Sequence, residues 1–248
     1  MSHHKVEVRN LHFSYPDGHE ALKKISFTIL HGESVGIIGA NGAGKSTILM
    51  LLMGILYPDS GDVLVGDVHL TKKTLPMIRQ RLGMVFQNPD DQLFMTNVYD
   101  DVAFGPRNYR LDEKEVDSRV MNALDLVGIS DLKDRAPFRL SGGEKRAASI
   151  ACVLSMQPDI LIMDEPTLAL DPKARRRVIN LLNSFDHTKI ITSHDLDLVL
   201  ETCQRVIVVK DGVIAADGKA KEILTNRFLL DECGLELPLT IQSCPVCG

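Results

Sequence analysis

An α/β fold, with a mostly parallel sheet and an antiparallel β layer ahead of it, is predicted by this 248-residue sequence. Three observations predict it. Residues 34–38 (SVGII) form a short, nearly continuous apolar run, followed by a glycine-rich turn and a helix-like segment at 46–53. Such a run marks a strand covered on both faces. Similar runs at 159–163 (DILIM), 189–192 (KIIT) and 205–209 (RVIVV) alternate with helical stretches at 143–155 and 172–185. Strand, helix and strand in that order call for crossover connections in a parallel sheet. At the amino end, by contrast, apolar and polar residues alternate, through Val6, Val8, Leu11 and Phe13 and again at 25–30, with a turn at Pro16-Asp17-Gly18. That period belongs to strands with one wet face.

The remaining elements follow from local signals. Asp171 before Pro172 reads as a helix N-cap with proline at the first helical position. Between 87 and 140 the pattern becomes mostly helical, clearest in the amphipathic stretch 112–127, and is expected to form a subdomain. Residues 211–218 (DGVIAADG) read as a hairpin-like return, and beyond 226 no strong period remains.

Composition narrows the class without naming an activity. With 44% hydrophobic and 25% charged residues the chain resembles soluble globular proteins, which excludes a disordered chain. The longest almost wholly apolar stretch, 48–57, falls short of the roughly 18 to 20 residues needed to cross a bilayer. The polar start MSHHKVEVRN lacks the apolar core of an export signal, so the chain is expected to stay in the cytoplasm. A net charge of −5 argues against a dominant basic surface, and no nucleic-acid partner is expected. Cys152 and Cys203 lie in apolar segments and Cys233, Cys244 and Cys247 near the carboxyl end; an odd count fits reduced thiols better than a disulfide frame.

The strongest chemical signal is Gly39-Ala40-Asn41-Gly42-Ala43-Gly44-Lys45-Ser46, which matches G-x-x-x-x-G-K-[ST] between a buried strand and a helix. Glycines let successive backbone N–H groups turn inward around phosphate oxygens, and the helix N-terminus adds partial positive charge. Lys45 then reaches the β and γ phosphates and the Ser46 hydroxyl can ligate Mg²⁺. The second signal is the run from Ile160 to Met163 ending in Asp164 and Glu165. A strand that ends in carboxylates puts Asp164 where it can hold Mg²⁺ through water, and the adjacent Glu165 where it can polarise an attacking water. A strand ending this way is commonplace by itself; the glycine loop gives it meaning.

With Leu140-Ser141-Gly142-Gly143-Glu144 ahead of those carboxylates, the chain resembles the ATPase subunits of ATP-binding-cassette (ABC) transporters, whose LSGGQ signature this segment is similar to. The resemblance implies a P-loop NTPase fold: a RecA-like mostly parallel sheet, an N-terminal antiparallel β layer and a helical subdomain at about 88–150. It places the ATPase domain at 4–226 and leaves 227–248 as a C-terminal tail. It also implies ATP and Mg²⁺ as cofactors, with Thr47 joining residues 39–46 in binding ATP and Ser46, Gln87 and Asp164 around the metal. Tyr15, in FSYP, matches the aromatic that stacks on adenine. Gln87 matches the glutamine that touches Mg²⁺ or the attacking water and reports to the membrane partner. His194, in TSHD, matches the histidine that bridges Glu165 and the γ phosphate. Ser141, Gly142, Gly143 and Glu144 match the signature that contacts the γ phosphate held by a partner subunit, which implies a head-to-tail dimer with two ATP molecules at its interface. Asp171, in LALDP, matches the loop joining the two ATP sites; Leu168-Ala169 departs from the serine or glycine often found there.

A longer stretch, Gln87 to Phe94 (QNPDDQLF) with Val98 to Pro106 (VYDDVAFGP), is similar to the ATPases of energy-coupling factor (ECF) importers, especially the cobalt and nickel type. Its residues suggest a groove in which apolar Leu93 and Phe94 stand beside acidic Asp90, Asp91, Asp100 and Asp101, suited to a basic coupling helix. The resemblance implies a peripheral subunit on the cytoplasmic face of the cell membrane. Its partners would be a second copy or a paralogous ATPase, a transmembrane coupling protein and a substrate-binding membrane component. A vitamin-specific importer remains an alternative, as does a soluble cassette acting on nucleic acid or ribosomes. Finally, Cys244-Pro245-Val246-Cys247-Gly248 has the form of one metal-binding knuckle, two ligands of the usual four. Cys233 could add a third, or the tails of two subunits could supply four jointly, for zinc, iron or a sensed transported metal; the alternative is a reduced, mobile tail.

Overall fold

The computed structural model describes residues 5–242. In chain order these carry β1 (Val6–Ser14), β2 (Glu20–Ile29), β3 (Ser34–Ile38), α1 (Lys45–Leu52), β4 (Ser60–Val65), β5 (Val68–His69), α2 (Leu75–Arg79), β6 (Leu82–Val85), α3 (Val98–Asn108), α4 (Glu113–Val127), α5 (Gly142–Leu154), β7 (Ile160–Asp164), α6 (Pro172–Ser184), β8 (Thr188–Thr192), α7 (Leu196–Thr202), β9 (Arg205–Lys210), β10 (Val213–Lys219), α8 (Ala220–Leu224) and α9 (Arg227–Glu232). The described residues divide into two compact units, one of residues 5–78 and 187–242, the other of residues 79–186.

In the first unit, an antiparallel sheet runs in the order β2-β1-β4-β5. β1 buries Val6, Val8, Leu11 and Phe13. The step from Val8 to Leu11 is one residue too long for a simple alternation. The pairing of β1 with β2 is irregular there, and Asn10 takes φ 45° while its amide donates to Ser26 Oγ at 2.7 Å. The bulge absorbs the extra residue and returns Leu11 and Phe13 to the covered face. A second layer places β3 between β8 and β9, all parallel, with β10 antiparallel beside β9. Every residue of β3 and β8 is buried, as their apolar runs require. Gly36 lets α7 approach β3: a Cβ there would stand 2.6 Å from Val199 Cγ1 and 3.4 Å from Cys203 Sγ.

At the carboxyl end, where the sequence shows no strong period, the chain forms α9 and packs against its own unit. Asn226 caps α9 through the Leu229 amide at 3.1 Å, and Leu230 and Cys233 are buried. Farther on, the Asp197 carboxylate accepts the Leu239 and Thr240 amides, each at 3.0 Å. A helix of six residues is too short to show a period, which is why the pattern carries no signal there. Cys233 sits in the interior of this unit, with burial pushing its thiol up, so it is not presented as a third ligand for a tail metal. Cys244 and Cys247 lie outside the described residues.

The second unit pairs β6 with β7 in parallel and packs α3, α4 and α5 together. On α4, capped by Asp112, the buried residues Val116, Val120, Ala123, Leu124 and Val127 form one stripe. The helices expected at 88–150 thus belong to a larger unit that also holds β6, β7 and α6. Among the described residues no helix is long and apolar enough to cross a membrane.

The close approach of α7 to β3 is testable. Gly36→Ala crowds Val199, and overpacking of this kind costs about 1–3 kcal/mol. Urea unfolding should show a lower midpoint with an unchanged slope; a wild-type midpoint would refute the contact.

Candidate functional site

The glycine loop leaves β3 and enters α1 inside the first unit. Two of its glycines are dictated by space. Gly39 (φ 159°) runs so close to β9 that a Cβ would lie 2.2 Å from the Val209 carbonyl oxygen, and Gly44 (φ 107°) would bring one to 2.8 Å from the Ala21 carbonyl oxygen. Gly44 occupies the N-cap of α1 in a left-handed conformation, so no side chain caps the helix, and no acidic residue enters its first turn. Lys45 is only 7% exposed. Its Nζ donates to the Gly39 oxygen at 2.8 Å and the Ala40 oxygen at 3.1 Å, and lies 3.2 Å from His194 Nε2. A helix N-terminus without a side-chain cap, next to a lysine, suits a polyphosphate.

His194 reaches Lys45 through a tight connection from β8 to α7. Asp195 caps α7 by accepting the Leu198 amide at 2.9 Å, and its own amide donates to Ser193 Oγ at 3.0 Å. Those bonds fix the turn while leaving the His194 side chain exposed. Tyr15 stands by α1, its hydroxyl 3.0 Å from Thr47 Oγ1. Its ring is nearly parallel to that of His19, with centroids 6.4 Å apart and 16° between planes. His19 is therefore a neighbour of the expected adenine site, one that no motif in the sequence marks.

In the second unit, β7 delivers Asp164 (5% exposed) and Glu165 (7%). Glu165 is left-handed, φ 47°, as is Ala169 at φ 59°. The latter gives a physical reason for the glycine the resemblance leads one to expect among residues at this position. Asp171 caps α6 through the Lys173 and Ala174 amides at 2.9 and 3.0 Å. Its carboxyl is held below the usual range chiefly by the Ala174 amide, against the opposing effect of burial.

The signature turn closes a capping box on α5: Ser141 Oγ accepts the Glu144 amide, and the Glu144 carboxylate accepts the Ser141 amide at 2.7 Å. That amide holds the Glu144 carboxyl below its usual range. Glu144 therefore organises the turn. A Cβ on Gly143 would meet that of Ala174 at 3.3 Å, so the signature turn lies against the start of α6. Ser141, Gly143, Glu144, Asp171, Ala174 and Arg177 line one groove of about 640 Å³.

Gln87 is exposed just past β6. The main-chain oxygens of Phe86 and Gln87 accept from Arg146, a buried residue that lies two positions past the signature segment and belongs to none of the sequence motifs. The expected partner groove also needs correction. Leu93 is buried, whereas Phe94 is 63% exposed and meets Phe104 edge to face at 4.9 Å. Asp101 is buried, accepting the Phe94 and Met95 amides at 2.9 and 3.0 Å, with burial pushing its carboxyl up. Asp100 pairs with Arg107 and Asp90 with Lys145, so the acidic face is smaller than the number of aspartates implies. Among the described residues, no cluster of three or more His, Cys, Asp or Glu could hold a metal ion.

A family model described as ABC transporter matches residues 22–168. A putative ABC transporter ATP-binding protein of Geobacter sulfurreducens is 59% identical over 248 residues, covering 100% of both chains. The energy-coupling factor transporter ATP-binding protein EcfA of Methanosphaera stadtmanae is 46% identical over 238 residues, 94% of this chain and 86% of that protein. Among solved structures, cbiO1 from Clostridium perfringens, described as part of the ABC transporter complex cbiONQ, superposes with a TM-score of 0.81 at 40% identity over 92% of this chain and 93% of that one. With its glycine loop, signature turn and fold in place, this chain belongs to the ABC transporter family, as an ATP-binding and ATP-hydrolysing subunit.

Proposed function

We propose that this chain is the motor of an ECF-type importer for cobalt or nickel ions, and that ATP closes two such subunits head to tail while hydrolysis reopens them. The observation that carries the nucleotide chemistry is Lys45 poised between the loop carbonyls and His194 at an uncapped helix N-terminus. The importer class is supported by the 46% identity to an energy-coupling factor ATP-binding protein and by the QNPDDQLF segment.

In this reading Tyr15 stacks on adenine, the loop from Gly39 to Thr47 wraps the phosphates, and Ser141, Gly142 and Gly143 of a second subunit complete the site. Glu165 takes the proton of a water as it attacks the γ phosphorus, the bond to the ADP oxygen breaks, and ADP and phosphate result. His194 holds the γ phosphate relative to Glu165, and Asp171 links the two sites. Ser46, Gln87 and Asp164 offer the hydroxyl, amide and carboxylate oxygens that suit a hard cation. Mg²⁺ held there would offset the negative charge of the phosphates. The exposed Phe94–Phe104 pair is the surface for a transmembrane coupling protein.

Glu165→Gln should keep ATP binding, accumulate an ATP-dependent dimer on size exclusion, and lose turnover by about 10² to 10⁴-fold. Undiminished hydrolysis would remove Glu165 as the general base. Affinity purification from native membranes should recover integral membrane proteins, and vesicles carrying that assembly should take up cobalt or nickel when supplied with ATP. Recovery with ribosomes, or uptake of a vitamin alone, would contradict the proposed importer.

A further inference from the structure

Helix α5, which begins at the signature turn, is stitched at successive positions to the loop leaving β6. Lys145 Nζ donates to Asp90 at 2.7 Å, and Gln92 Nε2 donates to the Ser149 oxygen at 2.7 Å. Between them Arg146, only 2% exposed, sends Nη1 to the Phe86 oxygen at 2.6 Å and Nη2 to the Gln87 oxygen. A buried guanidinium is costly unless hydrogen-bonded, and an unbranched apolar side chain would fill the same space without that cost. What the charge adds is a two-pronged grip on consecutive main-chain carbonyls, each held by its own nitrogen of one planar fork, where a lysine would have to share a single nitrogen between them. Burial lowers the Arg146 pKa while the Asp164 carboxylate opposes that shift. The grip falls on the backbone of Gln87, whose side chain stays exposed.

We infer that Arg146 is a positioning residue that locks the Phe86–Gln87 backbone to the signature helix, so that the signature turn and Gln87 move as one body. An ATP molecule engaged by that turn would then set the position of Gln87 toward the nucleotide bound by its own chain. The inference rests on the roles given above to Gln87 and the signature turn.

The test is a double-mutant cycle in the full-length chain, following ATP hydrolysis as a function of ATP concentration. Arg146→Met should lower kcat by about 10- to 100-fold, the cost of misplacing a reacting group by about 1 Å, with KM changed less than about threefold. Arg146→Lys should fall between Met and wild type. Because Arg146 acts through Gln87, Gln87→Ala/Arg146→Met should be no slower than Gln87→Ala alone. Multiplying effects, a change in KM alone, or an Arg146→Met kcat equal to wild type while Gln87→Ala is impaired would overturn the inference. Wild-type turnover in Gln87→Ala would instead remove the role of Gln87, and the inference with it. Should Arg146→Met not fold, Arg146→Lys carries the same cycle with the same expected non-additivity.

Discussion

The ammonium of Lys45, held by the carbonyls of Gly39 and Ala40, is the interaction on which the first unit depends. A buried lysine is costly unless its donors are satisfied, and here the loop supplies the acceptors from its own backbone. That requires the loop to fold back on itself between a strand and a helix. The strand must therefore be central, which the apolar runs of β8, β3 and β9 ensure. It also requires the backbone of Gly39 to touch β9 and that of Gly44 to touch Ala21, approaches a Cβ would prevent. His194 is brought to the same ammonium by the connection from β8, the strand beside β3. One charged group thus explains the burial pattern, the glycines and the position of a histidine 149 residues away.

The second unit carries its own constraints, and strain is one of them. A left-handed conformation costs a non-glycine residue about 1–2 kcal/mol. Glu165 and Ala169 both adopt it within five residues of sequence, on either side of a buried Thr167. Strain of this kind persists where surrounding structure over-determines the backbone, as the buried strand β7 and the Asp171 cap do here. The capping box at Ser141 and Glu144 gives the signature turn a comparable rigidity, and Arg146 extends it from that helix to the Gln87 backbone.

Much of this was legible in the sequence because the decisive signals are local. The SVGII run followed by the glycine loop specifies a strand, a turn and a helix at once, and Asp171-Pro172 marks a helix start to the residue. What stayed hidden depends on partners far away in sequence. The β1 bulge at Asn10 shows as a skipped alternation, but its cause is the pairing with β2. β6 and α9 are four and six residues long, too short for periodicity to declare. Asp101 looks like a surface acid until its carboxylate is seen to hold the Phe94 and Met95 amides. Arg146 looks like an exposed helix charge until it is found bonded to carbonyls some 60 residues earlier in the chain.

The central claim is that Lys45, held by the loop, binds the phosphates of ATP. Calorimetric titration of the full-length chain and of Lys45→Ala with ATP and Mg²⁺ tests it most directly. A charge-assisted hydrogen bond is worth about 1.5–3 kcal/mol, so the variant should bind at least about tenfold more weakly while the wild type shows a saturable site. Equal affinity in the two proteins would contradict the account.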